Sequence, residues 1–147
     1  MTINVFQLIV CNIFVFDRLL GPWKLSGYFK VVIQKSKSKK TTDNIGLRFV
    51  ITQHSKDSVL LDNISNYLGC GKCYSSRNEV NLTVSTFSDI NKIISLFNKY
   101  PLLGTKKEDY LDFCKVAELI KSKDHLTKQG IENIKRIKSI MNSKRIH

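Results

Sequence analysis

Acidic residues are scarce in this sequence. Its 147 residues include 12 of Asp and Glu against 24 of Lys and Arg, for a formal net charge of +12. This balance favours polyanionic partners, because bound basic side chains release the counterions condensed on them. The excess lies in residues 28–56, with a net charge of +6, and in residues 101–147, with +5. The charge indicates either a binding face or a generally soluble basic protein.

Long hydrophobic runs and a cysteine framework are also missing. The apolar stretch Val5–Phe16 has twelve residues, too few to span a bilayer, and it lacks the basic start of a secretory signal. We expect a buried strand or helix there, or a leftover leader. The four cysteines are Cys11, Cys70, Cys73 and Cys114. Their uneven spacing favours a reducing compartment over a disulfide framework.

Signatures of common active sites are absent from the sequence. It has no glycine-rich phosphate loop, and its three histidines accompany no nucleophile elbow. Cys70-Gly-Lys-Cys73 has the spacing of a zinc pair, but the remaining cysteines and histidines are scattered singly. We therefore interpret the pair as part of a tight turn between a helix and a strand.

Two period-two patterns predict a first hairpin. Alternate residues of 29–33 are apolar and face inward, and those of 47–51 do the same with Arg48 outward. The polar, lysine-rich residues 35–44 connect them and form a cationic tip. A second hairpin is predicted over Lys72–Ser76 and Glu79–Phe87.

Helical periodicity accounts for most of the remaining chain. A first helix, Asp57–Tyr67, has Val59, Leu60, Ile64 and Tyr67 at helical spacing, and Gly69 ends it. A second begins at a cap, Ser88 or Asp89, and extends through Phe97 until Pro101. Two more are predicted, Lys107–Lys123 and Thr127–Asn142, the last with Thr127 as its cap. The order ββαββα plus helices defines an α+β fold.

The outward face of the predicted sheet is polar and basic. A two-stranded ribbon fits the DNA major groove, where Lys contacts phosphate while Gln, Asn and Arg read base edges. The candidate DNA contacts are Lys30, Gln34, Lys35, Lys37, Lys39, Lys40, Arg48, Lys72, Tyr74, Asn81 and Thr83. The alternative interpretation is a solvated sheet face with a charged loop.

Five short segments together resemble the LAGLIDADG homing endonucleases of the fungal organellar type. They are Pro22-Trp-Lys-Leu-Ser-Gly27, Phe49-Val-Ile-Thr-Gln-His54, Leu68-Gly-Cys-Gly-Lys72, Tyr100-Pro-Leu-Leu-Gly-Thr-Lys106 and His125-Leu-Thr127. The resemblance covers about residues 21–145. It implies the α+β order αββαββα, with a four-stranded antiparallel DNA-binding sheet and C-terminal helices. Residues 21–147 would form this domain, after an apolar segment of unknown role in residues 1–20.

The sequence departs from the family at the end of the first helix. The family has an F-x-x-A-E-G type segment there, whose carboxylate holds a divalent metal, Mg²⁺, over the scissile phosphate. Here Gly27 is followed directly by Tyr28, and no acid occurs between Asp17 and Asp43. We therefore expect a truncated first helix, no metal ligand and weak or no DNA cleavage. A misplaced exon boundary is the alternative, and the protein would then cut DNA.

Two further residues match catalytic positions of the family. Gln53 corresponds to the polar residue that orders water near the metal, and Lys106 to the lysine that stabilises charge near the phosphate. The implied partner is double-stranded DNA. The chain would bind it either as a homodimer or as one half of a longer two-motif protein. The implied location is the mitochondrion, and no membrane partner is expected. A maturase-like splicing helper that binds intron RNA is an alternative. A basic protein without sequence preference is a third.

Overall fold

Two long strands form the first hairpin. The computed structural model describes residues 25–35, 44–53, 58–102 and 105–141, in which β1 is Leu25–Gln34 and β2 is Asn44–Gln53. They pair antiparallel in one continuous register that sets Phe29 opposite Phe49. The predicted alternation is confirmed, since Phe29 and Phe49 are fully buried while Lys30 and Arg48 are exposed.

A short helix and a second hairpin complete the sheet. Helix α1 (Val59–Leu68) is followed by β3 (Lys72–Ser75) and β4 (Val80–Val84). The helix ends at Gly69, whose φ of 70° is left-handed, and Gly71 repeats this conformation at φ 95°. Residues 69–71 form the predicted tight turn between helix and strand. Cys70 lies in this turn, and Cys73 follows it in β3.

The four strands make one antiparallel sheet in the order β1-β2-β4-β3. Strand β4 pairs with β2 only between Phe49 and Gln53. The far half of the first hairpin, residues 30–34 and 44–48, therefore extends beyond β4 as a two-stranded ribbon. Its connection, residues 36–43, lies outside the described residues.

The remaining helices form a layer on one side of the sheet. They are α2 (Phe87–Lys99), α3 (Thr105–Lys121), a 3-10 turn (Asp124–Leu126) and α4 (Lys128–Ile140). Helix α2 packs on β2, α3 on β1, and α4 on α3. As predicted, Thr127 caps α4, its Oγ1 accepting a hydrogen bond of 3.0 Å from the Gly130 N–H. No helix in the described ranges is long and apolar enough to span a bilayer.

An aromatic cluster joins the sheet to the helices. The Phe29 ring centroid lies 5.0 Å from that of Phe113 and 5.5 Å from that of Tyr110, both on α3. It is also 5.7 Å from the Phe97 ring on α2, in an edge-on arrangement. The Tyr110 hydroxyl lies 2.9 Å from the Ile94 carbonyl oxygen on α2, so a polar contact also holds α3 against α2. Burial and the neighbouring Cys114 raise the pKa of Tyr110 above its usual range.

Several predicted positions in the helices and strands are wrong in detail. Val59 is 62% exposed and Leu61 is buried in its place, because Leu61 and Ile64 form the sheet-facing side of α1 at i, i+3 spacing. The last strand ends at Val84 and not at Phe87, where α2 already begins.

The N-cap of α2 is therefore Thr86, and not Ser88 or Asp89. Its backbone is extended, with φ −71° and ψ 143°, and its carbonyl accepts the first helical hydrogen bond from the Ile90 N–H at 2.9 Å. Helix α3 spans Thr105–Lys121 where Lys107–Lys123 was predicted. Lys123 cannot continue it, because its φ of 64° is left-handed. Residues 1–24 lie outside the described residues, so the truncated helix that the resemblance implies before the first strand stays a prediction there, and Leu25 already belongs to β1.

Candidate nucleic-acid interface

The side of the sheet opposite the helices, called the open face below, is defined by the strand register. Directly opposed residues point to the same side, so every row of partners can be assigned. The rows on this side are Lys30–Arg48, Tyr28–Val50–Thr83–Lys72 and Thr52–Asn81–Tyr74. The open face thus brings together residues from all four strands that are more than 50 positions apart in sequence.

A shallow depression occupies the middle of the open face. Its volume is about 330 Å³, and the lining residues are Tyr28, Lys30, Arg48, Val50, Tyr74, Asn81, Thr83 and Ser85. Val50 is buried on its floor, at 6% exposure. Tyr74, at 55% exposure, stands at its edge on β3. Five of the lining residues are among the predicted DNA contacts.

The open face is electropositive. Lys30, Arg48 and Lys72 are exposed on it, while the four described strands contain no Asp or Glu. Unpaired cations close together repel one another, and a polyanion removes that repulsion as it binds. The arrangement therefore suits a phosphate backbone.

A hydrogen bond between two strands fixes one polar side chain in the depression. The Thr52 hydroxyl on β2 donates to Asn81 Oδ1 on β4 at 2.7 Å. Tyr74 lies on the other side of Asn81, directly opposite it on β3. Asn81 is half-buried between them and keeps its amide nitrogen for other partners.

The other predicted DNA contacts lie around this centre or outside the described residues. Gln34 and Lys35 are exposed at the far end of the ribbon, and Lys72 lies opposite Thr83 on the edge strand. Lys37, Lys39 and Lys40 belong to residues 36–43, which are outside the described ranges. Their assignment remains a prediction.

The two predicted catalytic residues lie away from the open face. Gln53 ends β2 and is 1% exposed. Since Phe49 and Ile51 face the helices, the period of the strand turns Gln53 to that side as well. Lys106 is half-buried in the first turn of α3. Their catalytic roles stay predictions.

The described residues do not fit a divalent metal. Mg²⁺ prefers carboxylate and water oxygens, yet no group of three or more Asp, Glu, His or Cys lies together within the described ranges. The open face offers cations where a metal needs anionic ligands. Cys70 and Cys73 are free thiols, and burial raises the pKa of both, so neither is preformed as a thiolate ligand.

Several interface residues were missed by sequence reasoning. Tyr28, Val50 and Ser85 line the depression, and Thr52 is the hydrogen-bond partner of Asn81. Tyr28 follows from the same alternation that places Lys30 outward, so the sequence contained its signal. Thr52 required the knowledge that β2 neighbours β4, which only the sheet order supplies.

Comparisons with known proteins agree with this architecture. Residues 26–117 match the family model described as LAGLIDADG endonuclease. A probable intron-encoded endonuclease 3 of Neurospora crassa is 37% identical over 123 residues, which cover 78% of this chain and 23% of that protein. A 50.9 kDa protein in the ND4 intron 1 of Podospora anserina is 34% identical, covering 74% of this chain and 26% of that protein.

Solved structures show the same likeness. The I-SmaMI LAGLIDADG homing endonuclease bound to cleaved DNA matches with a TM-score of 0.77 and 40% identity, over 82% of this chain and 41% of that one. The I-AabMI meganuclease bound to uncleaved DNA matches with a TM-score of 0.75 and 43% identity, over 79% and 42%.

The chain therefore belongs to the LAGLIDADG endonuclease family. The α+β class and the four-stranded antiparallel sheet expected from the resemblance are confirmed. The chain spans about a quarter of the length of these curated relatives and about two fifths of the solved ones. One I-SmaMI structure contains an uncleaved DNA target in the presence of calcium ions.

Proposed function

We propose that this chain binds duplex DNA through the open face, as a homing-endonuclease domain with weak or no cleavage activity. One observation carries the proposal: exposed cations on the open face stand on strands that contain no acid. The DNA complexes of solved relatives at about 40% identity support it.

The shape of the first hairpin suits the major groove. Two neighbouring strands lie about 5 Å apart, so a ribbon with its side chains enters a groove about 12 Å wide. The part of β1 and β2 that extends beyond β4 is such a ribbon, with Lys30 and Gln34 on β1 and Arg48 on β2. The predicted contacts at Lys35, Lys37, Lys39 and Lys40 would add phosphate contacts to those of the ribbon.

Weak or absent cleavage follows from the missing carboxylate. Metal-assisted hydrolysis needs a ligand that places the metal at the scissile phosphate. No acid occurs in residues 18–42, where the family has one, and the described residues form no substitute cluster. Lys106, half-buried on α3, is proposed to retain a contact with solvent or phosphate without Mg²⁺, whereas Gln53, at 1% exposure, is closed to both in this structure.

The test is a titration of the purified protein into duplex fragments of intron-free organellar genes, with Mg²⁺ present, at two salt concentrations. We expect a shifted band that weakens steeply with salt, because each neutralised phosphate lowers the log–log slope by about 0.9. Little or no cut product should form. A band that never shifts contradicts DNA binding, and cleavage of most of the duplex contradicts the loss of activity.

Intron RNA is a second candidate partner, and two exposed side chains favour it. Tyr28 and Tyr74 are 36% and 55% exposed on the open face, where aromatic rings can stack on unpaired bases. A maturase-like helper would not need the missing carboxylate. A competition experiment distinguishes the two partners. Unlabelled duplex should displace labelled duplex from the protein at a lower concentration than unlabelled intron RNA does. The reverse order would favour the RNA role.

The number of copies and the origin of the gene complete the proposal. The mass of the DNA complex distinguishes a homodimer from one copy on each duplex. We infer a mitochondrial gene, because relatives named as intron-encoded come from fungi such as Neurospora crassa. Lys, Ile and Asn, whose codons are rich in A and T, make up 46 of the 147 residues, which fits an A/T-rich genome. Sequencing the genomic DNA between the codons for Gly27 and Tyr28 would reveal any misplaced exon boundary.

A further inference from the structure

The hydrogen bond between Thr52 and Asn81 determines which atoms of Asn81 a ligand can use. Thr52 Oγ1 donates to Asn81 Oδ1 at 2.7 Å, across the pair β2–β4. Thr52 is only 7% exposed, so the amide oxygen of Asn81 is turned towards a buried hydroxyl on β2. The amide nitrogen, at the other end of the same planar group, is left for a ligand above the sheet.

This orientation matters because asparagine reads adenine with both of its polar atoms. Its nitrogen donates to adenine N7, and its oxygen accepts from the adenine N6 amino group. The amide oxygen has a second lone pair, but an asparagine whose oxygen is turned down towards a buried hydroxyl presents mainly its nitrogen to a base and matches that pattern poorly. Guanine presents two acceptors, N7 and O6, and requires donors only.

The surroundings of Asn81 point the same way. Lys30 and Arg48 line the same depression and have donors but no acceptor. Tyr74, the third residue of the row Thr52–Asn81–Tyr74, lies opposite Asn81 on β3. No carboxylate stands on the described strands to accept a hydrogen bond from a base amino group. The depression is thus rich in donors.

We propose that Asn81 reads an acceptor-rich base edge, guanine in preference to adenine, and that Thr52 is the positioning residue that sets this choice. The inference rests on the proposed binding of duplex DNA and adds the base that the centre of the open face selects. Thr52 need not touch the DNA itself, because it acts through the orientation of the Asn81 amide.

The experiment selects bound duplexes from a randomised pool with four proteins: wild type, Asn81→Ala, Thr52→Val and Thr52→Ser. The position at which Asn81→Ala flattens the base preference is the one that Asn81 contacts. There we expect wild type to enrich guanine over adenine by about tenfold, the discrimination typical of a specific side-chain contact. Thr52→Val, which removes the hydroxyl with little change of shape, should lower that ratio at least about threefold. Thr52→Ser keeps the hydroxyl and should keep the ratio.

Another variant, Asn81→Asp, tests the inference even if the Thr52→Val protein does not fold. Asn81→Asp retains an oxygen for Thr52 but has no donor, so the guanine preference should vanish in a protein whose circular dichroism is unchanged. Adenine enrichment by wild type, or an unchanged ratio in folded Thr52→Val or in Asn81→Asp, would overturn the inference while DNA binding stands. A pool that no protein enriches contradicts the proposed function and the inference together.

Discussion

The two sides of the sheet are built from the same strands and have opposite compositions. On the helix side, Phe29 and Phe49 are fully buried among aromatic rings. On the open face, their neighbours Lys30 and Arg48 are exposed and have no acid beside them on the described strands. The period of two lets a single strand supply a core and a cationic surface at once. Stability and binding should therefore respond to different residues, even adjacent ones.

The first prediction separates the two sides at adjacent positions of β1. Phe29→Ala should lower the free energy of unfolding by about 3–5 kcal/mol, because it removes a ring packed against four others and leaves a cavity. Tyr28→Ala, its matched control on the open face, should cost less than about 1 kcal/mol, since Tyr28 is 36% exposed. Urea unfolding followed by circular dichroism measures both. Equal losses would mean that the open face is covered by part of the core.

The second prediction concerns charge on the open face. Lys30→Gln combined with Arg48→Gln should weaken duplex binding about tenfold or more in moderate salt and reduce the log–log salt slope by about 2. The unfolding midpoint in urea should change little, because both side chains are exposed.

A matched control changes two exposed lysines of the helical layer, Lys121→Gln with Lys138→Gln. These positions lie on α3 and α4, and removing their charges should leave most of the affinity for duplex DNA. If both double variants lose the same affinity, binding depends on net charge alone, and the open face has no special role.

Much of this contrast was predictable from the sequence, and its failures have physical causes. The alternation along residues 29–33 and 47–51 predicted both sides of the first hairpin correctly. The same alternation continues to residue 53 and would have placed Gln53 beside Ile51 on the helix side. The resemblance to the family predicts a catalytic role for Gln53, whereas the strand period buries its side chain.

Contacts between distant strands could not be predicted. The pair Thr52–Asn81 exists because β4 lies beside β2, whereas the sequence order alone would pair each hairpin within itself.

The predicted helix ends were wrong for a more local reason. Phe87 is apolar and was predicted to end β4, but the extended Thr86 caps the helix and Phe87 is its first residue. Periodicity cannot distinguish the last residue of a strand from the first residue of a helix.

A third prediction uses two glycines to probe the two sides. A Cβ on Gly71 would lie 2.7 Å from Leu82 Cδ1, in the core, and the φ of 95° disfavours any other residue. Gly71→Ala should cost about 1–3 kcal/mol of unfolding free energy. Gly46→Ala, on the open face of β2, meets no atom within 4 Å and should change stability by less than about 1 kcal/mol in either direction. Urea denaturation checks the pair, and an equally costly Gly46→Ala would show that the ribbon is covered.

The smallest expected effect lies on the edge strand β3, whose residues alternate between the two sides. Cys73 faces α1, and its pKa is raised to about 11, by burial first and then by a hydrogen bond with Asp62. The thiolate fraction at pH 8 is then about 0.1%, so Cys73 should react slowly with iodoacetamide although it is exposed. Asp62→Asn should speed the reaction about twofold to threefold at pH 8 by lowering the pKa. Mass spectrometry of the modified peptide gives the rate, and Asp89→Asn is the control, because Asp89 influences Cys70 instead. An unchanged rate for Asp62→Asn would mean that burial alone sets the pKa, and that β3 is held against α1 by packing without this polar link.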